Sequence, residues 1–446
     1  MPPPTLADTV PWQPAAAAAA TTGTRGSVAV LPGGSWLRRL FGFIGPGYLI
    51  AVGYMDPGNW ATSLAGGSAH GYTLLWVVLL SSLIAMFLQV LCARLGIVTG
   101  MDLAQACRAS SSRRSALAQW IACEIAICAC DLAEVIGTAI ALQLLFGLPL
   151  PLGVLLTVLD VLTILWLQQR GVRKLEALVI SLLGVVFLCF ACNLAIAQPH
   201  WHEVLQGFIP QAQVLDDPGM LYIAMGIVGA TVMPHNLYLH SSIVQTRRWR
   251  EDAGGRRSAV TFATADILVA LAIAFFINAA ILVTAGAVFH AGGHREVAEL
   301  QDAYKLLGPL TGTGVAGVLF AVALLASGQS SAVTATLAGQ VVMEGYVQLK
   351  VKPWKRRLLT RALAIVPAFA VTLACGQGGV GQLLLASQVV LSLQLPFAAA
   401  PLIRFTASRR WMGEYANPRV VTAAAVLLVA VIICLNALLV WQSLAA

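Results

Sequence analysis

At 446 residues, 59% hydrophobic and only 10% charged, with a mean hydropathy of +0.82, the chain lies far from the composition of a soluble globular domain. The net charge of +8 would suit an anionic partner. No soluble domain is present to bind nucleic acid, however, and basic residues in so apolar a chain report topology instead. Apolar stretches of about 20 residues recur throughout, which describes a polytopic membrane protein with the lipid bilayer as its solvent.

Residues 1–40 are rich in Pro, Ala and Gly, with an Ala15–Ala20 run, and lack the basic-then-apolar order of a signal peptide. They are expected to form a disordered cytoplasmic tail ahead of a transporter domain at 41–446. Eleven spans are predicted, at about 42–69, 72–98, 119–145, 152–168, 175–197, 219–246, 259–289, 313–345, 358–375, 380–405 and 419–442. With the N-terminus inside, all of the 27 Lys and Arg residues except Arg295 and Lys305 fall on the cytoplasmic side. That asymmetry sets the N-terminus in the cytoplasm and the C-terminus outside. The few residues after the last span leave no room for a catalytic or output domain, so neither an enzyme nor a membrane-anchored sensor is expected. A His-Glu-x-x-His metalloprotease motif is likewise absent. The nine cysteines lie mostly within apolar runs, and Cys189-x-x-Cys192 reads as helix packing rather than a redox or zinc pair.

Two long apolar runs are interrupted, one by Asp56-Pro57-Gly58-Asn59 and the other by Met233-Pro234-His235-Asn236. Proline removes a backbone donor and disfavours helix in the residue before it. Within a bilayer such a break is tolerated only where protein or a polar cavity receives the freed groups. The breaks fall in spans 1 and 6. If spans 1–5 (about 42–197) and 6–10 (about 219–405) are equivalent halves, the odd repeat length inverts the second, and the eleventh span lies outside the repeat. Broken helices at matching positions in two such halves point to a midplane transport site.

Both breaks carry groups able to ligate a metal. Asp56 and Asn59 present oxygens to one side, and an aspartate at membrane depth costs about 2.5–3.5 kcal/mol on insertion scales, so an ion should accompany it. Capping of the second half-helix is the alternative for Asp56. In the second break, unwinding before Pro234 frees the Ala230 carbonyl and brings the Met233 thioether to the same cavity. Sulfur beside oxygen donors favours transition-type dications over Mg²⁺ or Ca²⁺. In span 3, Glu124, Asp131 and Glu134 fall within about an 80° arc, a polar face suited to a proton relay or to anchoring neighbouring helices. For His235 a proton shuttle or gate and a structural donor remain equal readings. His240, Asp160 and Asp266 read as structural, and the outer-side histidines 70, 200, 202, 290 and 294 as loop residues.

Asp-Pro-Gly-Asn-Trp-Ala-Thr in span 1, Met-Pro-His-Asn-Leu-Tyr-Leu-His-Ser in span 6 and Ser-Gln-Val-Val-Leu-Ser-Leu-Gln-Leu-Pro-Phe in span 10 resemble the Nramp family of proton-coupled divalent metal transporters. The resemblance runs from about Phe43 to the end of span 10. It implies an all-α, LeuT-type inverted 5+5 repeat with one extra helix. It implies metal ligation by Asp56, Asn59, Met233 and the Ala230 carbonyl, with the Gly53 carbonyl and Gln388 joining in other conformations. Asp131 and Glu134 would carry protons, with Arg247 and Arg361 as their partners. Gly53, Ser63 and Asn236 depart from the usual family residues. The implied activity is import of Mn²⁺, and of Fe²⁺ and similar ions, with protons across a bacterial plasma (inner) membrane, without cofactor or obligate protein partner. The alternatives are a related Mg²⁺ transporter, which would be expected to lack the Met233 thioether, and an ion-coupled amino-acid symporter, whose anionic substrate Asp56 would repel.

Overall fold

The computed structural model describes residues 26–29, 36–159, 170–249, 252–348, 353–374 and 379–445. A chain in hydrocarbon must satisfy its backbone polar groups internally. The described residues are accordingly helical, apart from a two-residue parallel pair, Val28–Ala29 (β1) with Arg247–Arg248 (β2). The helices that build the fold are α1 (Trp36–Phe43), α2 (Pro46–Ala51), α3 (Pro57–His70), α4 (Leu75–Thr99), α5 (Leu103–Ser110), α6 (Arg113–Phe146), α7 (Leu150–Leu156) and α8 (Val172–Ala197). They continue with α9 (Pro218–Val232), α10 (Pro234–Ile243), α11 (Ala253–Ala285), α12 (Leu300–Thr311), α13 (Val315–Val347), α14 (Pro353–Ala374), α15 (Val380–Ala407) and α16 (Arg419–Ala445).

Local sequence explains where these helices start and stop. Proline, whose missing N–H costs nothing in a first turn, opens α2, α3, α7, α9 and α10. Asp102 and Gln105 close a capping box on α5, and Ser112, Asp217 and Asp252 cap α6, α9 and α11. Glycines 100, 147 and 312, all at positive φ, end α4, α6 and α12.

Eight stretches among the described residues are long and apolar enough to cross a bilayer, against the eleven expected. The first expected span is split into pieces too short to qualify, and the ninth contributes the shorter apolar segment Leu358–Ala370. Residues 160–169 of the fourth, with Asp160, lie outside the described residues. Among the described residues of 1–40, Val28–Ala29 pairs with β2 and the helix Trp36–Phe43 begins. Cys189 is buried on α8, Cys192 is exposed, and neither is in a disulfide.

Burial ranks the helices by depth. The stretch Pro218–Thr246, which holds the second break, is 89% buried, whereas the apolar windows of α8 and α16 are only 33% and 28% buried and face outward. Around the breaks stand α4, α6, α11, α13 and α15. Trp60 of α3 wedges its fully buried ring edge-on between Phe190 and Phe320, with centroids 4.7 and 5.3 Å away. Gly137 of α6 lets the helix backbone meet the first break directly, since a Cβ there would collide with the Pro57 ring. Gly137→Ala is therefore expected to destabilise the protein by about 1–3 kcal/mol. A lowered midpoint in thermal unfolding of the detergent-solubilised protein would show it.

Candidate metal site between two broken helices

The first break is built by its own sequence. A 3₁₀ turn at Val52–Met55 leads to Asp56 in an extended conformation (φ −61°, ψ 161°), and α3 starts at Pro57. The Asp56 carboxylate accepts from the Gly58 N–H at 3.1 Å and the Asn59 N–H at 3.0 Å. The capping role weighed from sequence is thus present. Unwinding leaves the Tyr54 and Met55 carbonyls for side chains to satisfy. Asn59 Nδ2 (2.7 Å) and Asn278 Nδ2 (2.8 Å) donate to Tyr54, and Trp60 Nε1 (2.9 Å) and the Ser327 hydroxyl donate to Met55. Because the Asn59 amide spends its N–H on Tyr54, its Oδ1 stays available.

At the second break α9 ends at Val232, Met233 leaves helical dihedrals (φ 7°, ψ 103°) and α10 begins at Pro234. The carbonyl whose helical donor Pro234 cannot supply is that of Ala230, four residues back. Asn236 closes the turn, its N–H donating to the Met233 carbonyl at 3.1 Å and its Nδ2 lying 3.6 Å from the Met233 sulfur.

Two close approaches tie the first break to α15 and to the second break. A Cβ added to Gly58 would collide with the Gln388 side-chain amide and lie 2.8 Å from Asp56 Oδ2. A Cβ added to Gly53 would press on Asn236 Nδ2 and come within 3.2 Å of Thr334 Oγ1. Asp56, Asn59, Met233, Asn236 and Gln388 are all fully buried. Among the described residues, Asn59 Oδ1, Asn236 Oδ1 and Gln388 Oε1 find no hydrogen-bond donor. Each buried acceptor left so costs about 1–3 kcal/mol. Three amide oxygens of this kind, a carboxylate and a thioether form a donor set for a soft-to-borderline dication. No group of three or more His, Cys, Asp or Glu able to hold a metal occurs among the described residues. The set is therefore unlike a resident Cys/His zinc site.

A second cluster lies on α6. Asp131 and Glu134 are fully buried, and fully buried Arg361 of α14 reaches both, Nη1 standing 3.3 Å from Glu134 Oε2 and 3.9 Å from Asp131 Oδ1. Cys130 Sγ lies 3.8 Å from Glu134 Oε1. Glu124, about 15 Å along the helix from Glu134, is half-buried and accepts from Trp120 Nε1 at 3.1 Å. His235 is fully buried, and neither ring nitrogen has a hydrogen-bond partner among the described residues.

Residues 47–442 match the family model for natural resistance-associated macrophage protein-like (Nramp) proteins. The chain belongs to the Nramp family. Among its relatives are two proteins called divalent metal cation transporter MntH. That of Xanthomonas campestris is 59% identical over 416 residues, covering 93% of this chain and 94% of the relative. That of Mesorhizobium japonicum is 56% identical over 419 residues, covering 94% and 92%. The Eremococcus coleocola manganese transporter, solved by crystallography, superposes with a TM-score of 0.85 at 42% identity over 93% of this chain and 89% of that one. The nucleobase-cation symporter Mhp1, at 17% identity, TM-score 0.58 and 89% coverage of each chain, shares the LeuT-like arrangement of helices and carries no argument beyond fold.

In this Nramp protein one expected pairing is corrected. Arg247, expected beside Asp131 and Glu134, instead grips Glu176 of α8 through both terminal nitrogens, at 2.8 and 3.0 Å, and donates to the Ile44 carbonyl at 2.8 Å. It follows α10 after a 3₁₀ turn at Val244–Thr246 and is fixed by the β1–β2 pair near the start of α2, where Asp266 also binds the Gly45 and Gly47 N–H groups. Sequence reasoning passed over a buried polar chain as well. Gln89 of α4 donates to the Tyr54 hydroxyl at 2.7 Å and its Oε1 lies 2.9 Å from His240 Nδ1, tying the two breaks through a third helix. Its only signal is one amide in an otherwise apolar run. His290 directs Nδ1 to the Ser68 carbonyl at 2.9 Å, more than the loop role expected of it. Removing Arg361 would leave two acids without their buried cation, so Arg361→Met is expected to destabilise the protein by about 3–5 kcal/mol. Glu134→Gln in the same background should recover part of that loss in thermal unfolding.

Proposed function

We propose that the protein imports divalent transition metal ions, Mn²⁺ foremost and Fe²⁺ among others, together with protons across the bacterial plasma membrane by alternating access. The observation that carries this reading is the burial of one carboxylate, three donor-less amide oxygens and a thioether at or beside the two points where helices lose their backbone ladder. The names borne by the relatives, divalent metal cation transporter and manganese transporter, support the same substrate class.

In this reading the ion is cargo. It reaches the breaks from outside, sheds part of its water and binds Asp56, Asn59, Met233 and the Ala230 carbonyl, with the Gly53 carbonyl and Gln388 completing the shell in other conformations. The thioether gives up little on losing water and rejects hard ions, whose preferred shells are all oxygen. A dication at Asp56 keeps that carboxylate deprotonated, so metal binding expels a proton. His235, Asp131 and Glu134, with Arg361 between the acids, supply groups on and beside α6 to receive it, and Glu124 lies further along the same helix on the other side of Asp131. Inversion of the two five-helix halves, with the N-terminus inside and the C-terminus outside, lets the half-helices rock about the site. A Mg²⁺ carrier fits less well, since Met233 would then be a liability in the shell.

Uptake by proteoliposomes with an internal pH indicator tests this. Asp56→Ala should abolish both Mn²⁺ entry and the accompanying acidification, and retention of either would defeat the proposal. Met233→Ala should raise the KM for Mn²⁺ about tenfold, near 1.4 kcal/mol, while admitting Ca²⁺ that the native protein excludes. Unchanged Ca²⁺ exclusion would remove the sulfur-based account of selectivity.

A further inference from the structure

Helix α15, which carries Gln388, contains Pro396 in its interior. Proline has no N–H for the carbonyl four residues back, here that of Ser392. The missing donor comes from outside the helix. Asn436 of α16 donates its Nδ2 to the Ser392 carbonyl at 3.0 Å, and the Ser392 hydroxyl donates back to Asn436 Oδ1 at 3.1 Å. Both residues are buried, and Asn436 is the sole amide side chain in the apolar run from Ala423 to Trp441. This reciprocal clip matches one freed carbonyl to one isolated amide, each of which would otherwise be costly in hydrocarbon.

The clipped turn is also the one that backs the metal site. Gln388 lies one helical turn before Ser392. Gly229 of α9 packs against this turn so closely that a Cβ would collide with the Gln388 carbonyl and come within 2.6 Å of Ser392 N. Gly229 immediately precedes Ala230, whose carbonyl the second break frees. At its outer start α15 is held by a further outside group, the Glu299 carboxylate, which accepts from the Gly379 N–H at 3.0 Å and the Gly381 N–H at 2.8 Å. The segment from Val380 to Ser392 is thus anchored at both ends by residues of other elements.

We propose that Asn436 is a positioning residue for metal binding: by replacing the donor that Pro396 lacks, it fixes the turn of α15 that presents Gln388 and supports Ala230. The role assigned to it rests on the metal-transport reading above. It makes the helix outside the repeat part of the site's scaffold, although no group on α16 touches the ion.

The test is a double-mutant cycle read by Mn²⁺ uptake kinetics in proteoliposomes and by calorimetric Mn²⁺ binding, on full-length protein checked for monodispersity. Asn436→Leu should raise the KM for Mn²⁺ and weaken binding by fivefold or more, and Asn436→Gln, which keeps the amide, should recover part of this. Pro396→Ala restores an N–H four residues after Ser392, so in that background Asn436→Leu should change KM by less than twofold. Should the leucine variant not fold, Asn436→Ala removes the amide without added bulk and carries the same comparison. An equal penalty in both backgrounds, or a loss of melting temperature with KM unchanged, would overturn the proposal. Asp56→Ala run alongside separates two failures. If it binds Mn²⁺ normally the metal-site reading falls, whereas if it abolishes binding while Asn436→Leu binds as the native protein does, only the present inference falls.

Discussion

Everything in this protein depends on how the backbone is satisfied where two central helices come undone. With no water to take the freed groups, each interruption must be repaid by specific neighbours. At the first break Asn59, Asn278, Trp60 and Ser327 all turn their donors toward the Tyr54 and Met55 carbonyls. That repair also decides the chemistry. An amide that donates to the backbone points its oxygen the other way, so mending the helix end and exposing ligand oxygens are one act for Asn59. Asp56 shows the same economy, since its carboxylate holds the end of α3 while its Oδ2 and the Gln388 amide flank the same face of Gly58.

Charge is distributed on the same principle. Buried ions survive only in company, and the protein keeps two such companies apart. Asp131, Glu134 and Arg361 meet inside the bundle, whereas Glu176, Arg247 and Arg173 gather at the start of α2, where the guanidinium groups bind the carbonyls that precede that helix. The first group sits beside the proposed cargo site. The second pins the mouth of the first helix to α8, together with Asp266 from α11.

Much of this was legible in the residues. Proline within an apolar run marks a lost donor, and Asp-Pro-Gly-Asn and Met-Pro-His mark both breaks because each sets that proline beside polar side chains able to take up the freed backbone groups. The acid face of α6 could be read from helical spacing alone. What spacing could not supply was partnership across the bundle. Arg247 and Arg361 are equally basic and equally near apolar runs in sequence, yet one meets the acids of α6 and the other is drawn off to Glu176. The eight clear crossing stretches fall short of eleven because length and hydropathy describe whole helices, and the first span is divided at its most important point. Gln89 escaped notice because a single amide in a hydrophobic run has no period to betray it.

The contact between Pro57 and the bare backbone of α6 at Gly137 has a mechanical meaning. No side chain lies between them to flex or slip, so the two surfaces share load as a shaft does with its bearing. Gly137 is one turn past Glu134. A displacement of the first half-helix is thus transmitted to the acid-bearing helix without slack, and under the transport proposed above that contact would gear ion passage to the acids of α6 by steric means as well as by charge.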